Sequence, residues 1–164
     1  MSLQADVRAK LLTMLAPLTV AGGGTLKQIH SVSISSEEEV DEVLERFKDR
    51  VPGGFLSTPV ATLARGQAGG QSVRTTDATF SYLFVAAFAD RGDVAERLEQ
   101  AEDAFDMFVE AMLLQRPTRS GLPTTAPLDF IDVSDSGIMD KPAMTVFFAR
   151  FKVVIRNLQV NQPA

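Results

Sequence analysis

The stretch Ala78-Thr-Phe-Ser-Tyr-Leu-Phe-Val-Ala-Ala-Phe-Ala89 determines the fold of this chain. In an extended strand, successive side chains point to opposite faces of the sheet. The large residues of one face are aromatic: Phe80, Tyr82, Phe84 and Phe88. The residues of the other face are aliphatic: Leu83, Val85, Ala87 and Ala89. A strand that is apolar on both faces is expected at the centre of its sheet, covered on both sides by helices or by another subunit.

Two amphipathic helices are predicted on either side of this strand in the sequence. The stronger runs from Asp93 to Leu114, and its apolar residues recur at helical spacing: Val94, Leu98, Ala101, Phe105, Phe108 and Met112. The other runs from Leu3 to Leu18 and ends before Gly22-Gly23-Gly24. Its apolar face comprises Leu3, Val7, Leu11, Leu15 and Leu18. Both stripes predict helices that pack on a core.

A third helix is predicted to begin at Ser35, because Ser35 and Glu38 have the spacing of a capping box. Its apolar residues are Val40, Val43, Leu44, Phe47 and Val51. We interpret the acidic run 37–39 as solvated carboxylates in the first turn, where the helix dipole favours negative charge. Paired acid and base carboxylates are the alternative.

Four further strands are predicted: Leu26–Ser33, Phe55–Ala64, Leu128–Val133 and Ala143–Asn157. A turn at Asp135-Ser136-Gly137 follows the third of them. The order α-β-α-β-β-α-β-β predicts an α+β fold, with a largely antiparallel sheet of about five strands packed against three helices. The length of 164 residues predicts a single domain over residues 1–164, with a frayed tail at 159–164.

Composition excludes several classes of function. The net charge of −5 disfavours direct DNA binding, because an acidic protein repels nucleic acid at long range. The absence of cysteine excludes disulfides, thiolate metal sites and a cysteine nucleophile. The longest apolar stretch, Tyr82 to Ala89, is far shorter than the ~18 residues of a membrane span, so we expect no membrane partner.

The sequence motifs predict no catalytic, cofactor or metal site. His30 is the single histidine, and nothing near it in sequence could complete a metal site or a catalytic triad. The run Gly22-Gly23-Gly24-Thr25 lacks the Lys-Ser/Thr pair of a phosphate loop. The acids of residues 129–140 lack the spacing of a calcium loop. We therefore expect a protein that is not an enzyme.

A basic stripe on the last predicted strand is the most informative polar feature. Arg150, Lys152 and Arg156 fall on one face of that strand. Three interpretations remain open: a solvated outer face of the sheet, pairing with acids of a neighbouring subunit, or contact with a phosphate backbone. The overall acidity favours the first two.

The order of elements resembles that of the small tail-completion proteins of tailed phages, in particular the Mu-like family and the related lambda-like tail terminators. The resemblance covers residues 3–157. Three stretches contribute most: Pro-Val-Ala-Thr-Leu-Ala-Arg-Gly (59–66), Ala-Met-Leu-Leu-Gln-Arg-Pro (111–117) and Ala-Met-Thr-Val-Phe-Phe-Ala-Arg-Phe-Lys-Val (143–153). The better-known proteins of this kind assemble as hexameric rings that cap the tail tube and join it to the head, and they are not enzymes.

The resemblance implies a homo-oligomer whose partners are tail-tube and head-connector proteins. It implies assembly in the bacterial host cytoplasm and a final place in the virion tail, at the head-tail junction. The loops Gly66 to Thr76 and Pro117 to Pro127 would then contact subunits or the tube. The candidate interface residues are Gly66, Gly69, Gly70, Arg74, Arg119, Arg150, Lys152 and Arg156.

An alternative interpretation is a small, non-catalytic α+β ligand-binding or accessory domain that forms a dimer. In this case the four aromatic residues of the central strand would line a cavity instead of a core, and that cavity would measure about 300–1,000 Å³.

Overall fold

A mixed sheet with helices on both faces forms the domain. The computed structural model describes residues 3–24, 26–50, 53–65, 75–88, 94–114, 130–141 and 144–159. The elements within these ranges are α1 Leu3–Leu15, β1 Ile29–Ser31, α2 Val40–Arg46, β2 Gly53–Leu56, β3 Val60–Arg65, β4 Thr75–Phe88, α3 Val94–Phe108, β5 Phe130–Lys141 and β6 Met144–Gln159. A π-helical segment, Val109–Leu114, continues α3, and short 3-10 turns follow α1 and α2.

The sheet has the strand order β1-β2-β4-β6-β5, and β3 also pairs with β4. The pairing of β1 with β2 is parallel, and the other pairings are antiparallel. The prediction of an α+β fold with a largely antiparallel sheet is therefore confirmed. The sheet has six strands instead of about five, because the segment predicted as one strand, Phe55–Ala64, forms β2 and β3.

The break between β2 and β3 is made by a buried serine. The backbone N–H of Ser57 donates to the carbonyl of Leu83 at 2.9 Å. The N–H of Leu83 donates in return to Ser57 Oγ at 2.8 Å. A side-chain oxygen thus takes the place of a backbone carbonyl in the ladder. Strands β2 and β3 can therefore pair with the same edge of β4, although the chain leaves the sheet between them. Thr58 in this break donates from Oγ1 to the carbonyl of Ile34 at 2.6 Å.

Both faces of β4 are buried from Tyr82 to Phe88, as the sequence predicts. The aromatic face packs with α1 and α3 in one hydrophobic cluster, where Phe108 stacks on Phe84 with ring centroids 5.8 Å apart. The aliphatic face packs with α2 in a second cluster, where Phe47 stacks on Phe55 at 5.3 Å. Strand β6 alternates between the same two clusters.

The aromatic residues of β4 form a packed core. Phe80, Tyr82, Phe84 and Phe88 are each no more than 2% exposed. They fill the space between the sheet and the helices, together with residues of α1, α3 and β6. The interpretation in which these four side chains line a ligand cavity instead of a core is therefore wrong.

The buried face of α3 differs from the predicted stripe. Leu98 and Phe105 are 39% and 37% exposed, whereas Ala101, Ala104 and Phe108 are buried. Small residues let the helix axis approach the sheet closely, so the contact face is the alanine face and Phe108 is its large anchor. The periodicity located the helix, but it could not distinguish two neighbouring apolar faces.

Several predicted boundaries differ from the structure, and two of the differences have a clear physical reason. Helix α2 begins at Val40 and has no side-chain cap; Ser35 Oγ instead accepts from the N–H of Glu37 at 3.2 Å in the preceding turn. The predicted turn at 135–137 lies inside β5, which accommodates it with a register shift between Val133 and Asp135. Gly137 faces Phe148, whose ring lies 3.2 Å from where a Cβ would stand, so glycine leaves room for that ring.

Replacement of Ser57 by alanine tests the break between β2 and β3. The Leu83 N–H would be left buried without its acceptor, so we expect Ser57→Ala to lower the free energy of unfolding by about 1–3 kcal/mol. The exposed Ser33 supplies the matched control, because Ser33→Ala should change the free energy of unfolding by about 0.5 kcal/mol or less. Urea unfolding of both variants measures the difference, and equal effects would contradict the proposed role of the Ser57 hydroxyl.

The ionisation of Tyr82 tests the burial of the aromatic face. Burial raises the pKa of Tyr82 from 10.0 to about 12, against a small opposing effect of Arg8. The folded pKa lies above the unfolded one, so this contribution to stability is complete below pH 10 and is lost as the pH rises from about 10 to 12. Tyr82 is the single tyrosine and there is no tryptophan, so absorbance reports its phenolate directly. If Tyr82 of the folded chain ionises with a midpoint near pH 10, equal to its midpoint in denaturant, the burial of Tyr82 is refuted.

Candidate functional site

Helix α2 is too short to cover the whole second face of the sheet. Its seven residues pack above the half of the face that contains Leu83, Val85 and Val146. Beyond this half, one row of the sheet contains four neighbouring residues on paired strands: Val60, Ser81, Lys152 and Asp132. In the adjacent row, Thr62 lies beside Thr79. Val60, Thr62, Lys152 and Asp132 are exposed and Ser81 is half-buried. We refer to these six residues as the open face.

Four residues of the open face form the floor of a groove of about 610 Å³: Val60, Thr62, Ser81 and Lys152. One wall is the segment that leads into α2, and the other is the bulged part of β5. The residues that line floor and walls include Ser36, Glu37, Glu39, Val60, Thr62, Ser81, Ser134, Asp135, Arg150 and Lys152. Most of these side chains are polar, so the groove suits a polar or charged occupant better than an apolar one.

Arg150 fixes one wall of the groove to the sheet. Its Nη1 donates to the carbonyl of Ser36 at 2.5 Å, and its Nη2 donates to the carbonyl of Glu38 at 2.9 Å. Both carbonyls precede α2, so the guanidinium holds residues 36–38 in a non-helical conformation. These residues lie where the part of the sheet covered by α2 ends. This bond pair accounts for the late start of α2. It also means that Arg150 is partly committed inside its own chain.

The groove has an excess of unpaired acid. Glu38 pairs with Arg46 at 2.8 Å, but the carboxylates of Glu37, Glu39 and Asp135 form no ion pair with any described residue. Among the described lining residues, the cations are Arg150, which is engaged with carbonyls, and Lys152, which is exposed. Three carboxylates thus face two cations. The hydroxyl oxygen of Ser36 is also buried without a hydrogen-bond partner in the described structure.

The predicted interface residues are placed unequally by the structure. Arg150 and Lys152 come together in the groove, two residues apart on one face of β6. Arg156 lies on the same strand, and its side chain is outside what the structure describes. Gly66, Gly69, Gly70, Arg74 and Arg119 lie outside the described residues. Their role in an interface stays a prediction.

Sequence reasoning did not identify the acidic wall as part of a site. The run 37–39 was predicted to occupy the first turn of a helix, where three carboxylates need no partner. The structure places these residues before the helix, and Glu37 and Glu39 border the groove. The contact with Arg150, more than a hundred residues later in the chain, joins this wall to β6.

The rest of the described chain offers little other chemistry. Across the described ranges, no three residues of the types His, Cys, Asp and Glu stand close enough to hold a metal ion. His30 stacks on Phe55 with ring centroids 5.7 Å apart, and burial and the nearby Arg50 lower its pKa. No helix in the described part reaches the length and apolarity that crossing a membrane requires.

Comparison with known proteins finds similarity in structure but not in sequence family. No protein-family model matches the sequence, and no curated protein matches it. Among solved structures, a chain of "Virion of native gene transfer agent (GTA) particle" is similar, with a TM-score of 0.46 and 14% sequence identity, over 94% of this chain and 95% of that chain. A similarity at this level assigns no family to the chain.

Removal of the Arg150 guanidinium tests how the groove wall is held. We expect Arg150→Met to lower the free energy of unfolding by about 2 kcal/mol, because two charge-assisted hydrogen bonds are lost. Amide hydrogen exchange should rise at residues 35–40. Lys152→Met, on the exposed neighbour two residues along, should change stability by about 0.5 kcal/mol or less and leave that exchange unchanged. Unaltered exchange in the Arg150 variant would show that the wall does not depend on it.

Proposed function

We propose that this chain is a structural protein of a phage or prophage tail, a tail-completion or tail-terminator protein without enzymatic activity. It self-assembles, as a ring, and binds the end of the tail tube at the head-tail junction. The observation that carries the proposal is the groove on the open face. It is a large polar surface on the part of the sheet that α2 leaves uncovered, and within the described residues it contains no metal-binding cluster.

A closed ring requires two different surfaces on each subunit. Head-to-tail contacts place one patch of a subunit against another patch of its neighbour. The groove supplies one such patch. Leu98, Phe105 and Leu113 supply a second on α3 and the π-helical segment, where they are 37–42% exposed. Helix α3 packs on the aromatic face of the sheet and the groove lies on the opposite face, so the two patches point away from each other.

The character of each patch fits a contact between proteins. Interface centres are enriched in aromatic residues, and their rims are polar. The α3 patch is apolar with acidic neighbours, whereas the groove is hydroxylated and charged. The resemblance of the element order to tail-completion proteins favours a ring and a tail-tube partner over an ordinary dimer.

Mass and shape measured together test the proposed function. We expect light scattering and negative-stain imaging of the purified protein, alone and with its candidate tail-tube protein, to show rings or caps on tube ends. A monomer or dimer that ignores the tube in both conditions would overturn the proposal.

A change on α3 tests the second patch in the same assay. Leu98→Gln removes apolar area from the patch, and we expect it to weaken self-association about tenfold, as a loss of about 1.4 kcal/mol does. The matched control is Val20→Gln, because Val20 is an exposed aliphatic residue outside both patches. Equal loss of assembly in the two variants would contradict a specific role of α3.

A further inference from the structure

A small pocket lies where α1 meets the ends of β1 and β2. Its volume is about 150 Å³, and the described residues that line it are Arg8, Ser31, Val32, Ser33, Ser57 and Thr58. None of them belongs to the groove. A cavity of this volume holds about six heavy atoms, the size of benzene. The pocket therefore suits a single small chemical group and not a segment of a protein chain.

The described lining of the pocket is positively charged. Arg8 is half-buried, and it forms neither an ion pair nor a hydrogen bond with any described residue. The other described lining residues include no acid. A guanidinium that is partly removed from water is stabilised by an anion, with which it forms paired hydrogen bonds. The charge of the pocket therefore indicates an anionic ligand.

The hydroxyl groups of the pocket differ in their availability. Ser57 Oγ donates to the carbonyl of Thr58 at 3.1 Å, and Thr58 Oγ1 donates to the carbonyl of Ile34 at 2.6 Å. The hydroxyls of Ser31 and Ser33 have no partner among the described residues. Together with the guanidinium of Arg8, these two hydroxyls provide free donors around one small space. Such a set of donors suits a ligand that accepts several hydrogen bonds at once.

We propose that this pocket binds the phosphate group of a small molecule. Phosphate has about as many heavy atoms as the pocket holds. Its oxygens can accept from the guanidinium and from both serine hydroxyls together, whereas a bidentate guanidinium already occupies both oxygens of a carboxylate. The site goes beyond the proposed tail role and does not depend on it, so either proposal can fail while the other stands.

Tyr82 provides a spectroscopic reporter beside the pocket. Burial raises the pKa of Tyr82 and the nearby Arg8 lowers it, so the guanidinium charge acts at the phenol. The phenol oxygen is buried and has no hydrogen-bond partner in the described structure. An anion that neutralises Arg8 changes the electric field at this ring. Because Tyr82 is the single tyrosine and there is no tryptophan, its near-UV absorption reports that change without overlap.

Calorimetric titration of the full chain with inorganic phosphate tests the site. Sodium chloride keeps the ionic strength constant, and the near-UV difference spectrum of Tyr82 is followed in parallel. We expect one phosphate to bind per chain with a dissociation constant below about 1 mM, and the spectral change to saturate together with the heat. Acetate should bind at least about tenfold more weakly, because it offers fewer acceptor oxygens.

Two variants locate the phosphate in the pocket. Arg8→Gln should weaken phosphate binding about tenfold or more, because charge-assisted hydrogen bonds are lost. Its matched control is Lys10→Gln, which removes the same charge from the same helix outside the described lining and should change the affinity by about twofold or less. Ser33→Ala should weaken binding about fivefold and leave stability nearly unchanged, so it tests the site even if Arg8→Gln does not fold.

The source of the phosphate group is distinguished by a second ligand, glycerol phosphate. If it binds within about threefold of inorganic phosphate, the ligand is a small ester whose remainder extends past the exposed Ser31 and Ser33. If inorganic phosphate binds and the ester does not, the ligand is the free ion, and both results support the site. The proposal is overturned if neither ligand binds, if acetate binds as well as phosphate, or if Ser33→Ala and a folded Arg8→Gln both retain the wild-type affinity.

Discussion

The burial of β4 on both of its faces is the constraint on which the rest of the domain depends. A strand with aromatic residues on one face and aliphatic residues on the other is stable only when both are removed from water. Helices α1 and α3 cover the aromatic face, and α2 covers the aliphatic one. Strands β2 and β3 pair along one edge of β4 and β6 along the other, so its backbone is paired on both sides. The central position of β4 follows directly from its composition.

The incomplete cover of the second face creates the candidate site. Seven residues of α2 shield only part of the sheet, and the Arg150 guanidinium holds the segment before this helix at the boundary of the covered part. Beyond that boundary the strands carry threonine, serine, lysine and aspartate, together with the exposed Val60. The sequence therefore avoids an exposed apolar sheet, and the polar face remains available for a partner. A single side chain, Arg150, both organises the core boundary and shapes the groove.

Sequence reasoning succeeded where one local pattern dominates and failed where distant contacts decide. The alternation in β4 and the stripe of α1 each predicted the correct buried face. The segment Phe55–Ala64 has strand composition throughout, so nothing local indicated that Ser57 would replace a ladder carbonyl and split it. Helix α3 has two adjacent apolar faces, and the sheet selected the alanine face because it allows the closer approach. The capping-box spacing at Ser35 was overruled by a residue more than a hundred positions away.

The sequence by itself determined the fold class, the central strand, the number of helices and the absence of cysteine chemistry. These depend on composition and on periodicities of two and 3.6 residues, which are local properties of the chain. It also placed Arg150 and Lys152 on one face of one strand. The tertiary structure alone decided that this face stays partly uncovered and that the acidic run 37–39 forms the opposite wall. It also decided that the described lining of the groove carries more acid than base. These features arise from contacts between segments far apart in sequence, and such contacts leave no periodic pattern in either segment.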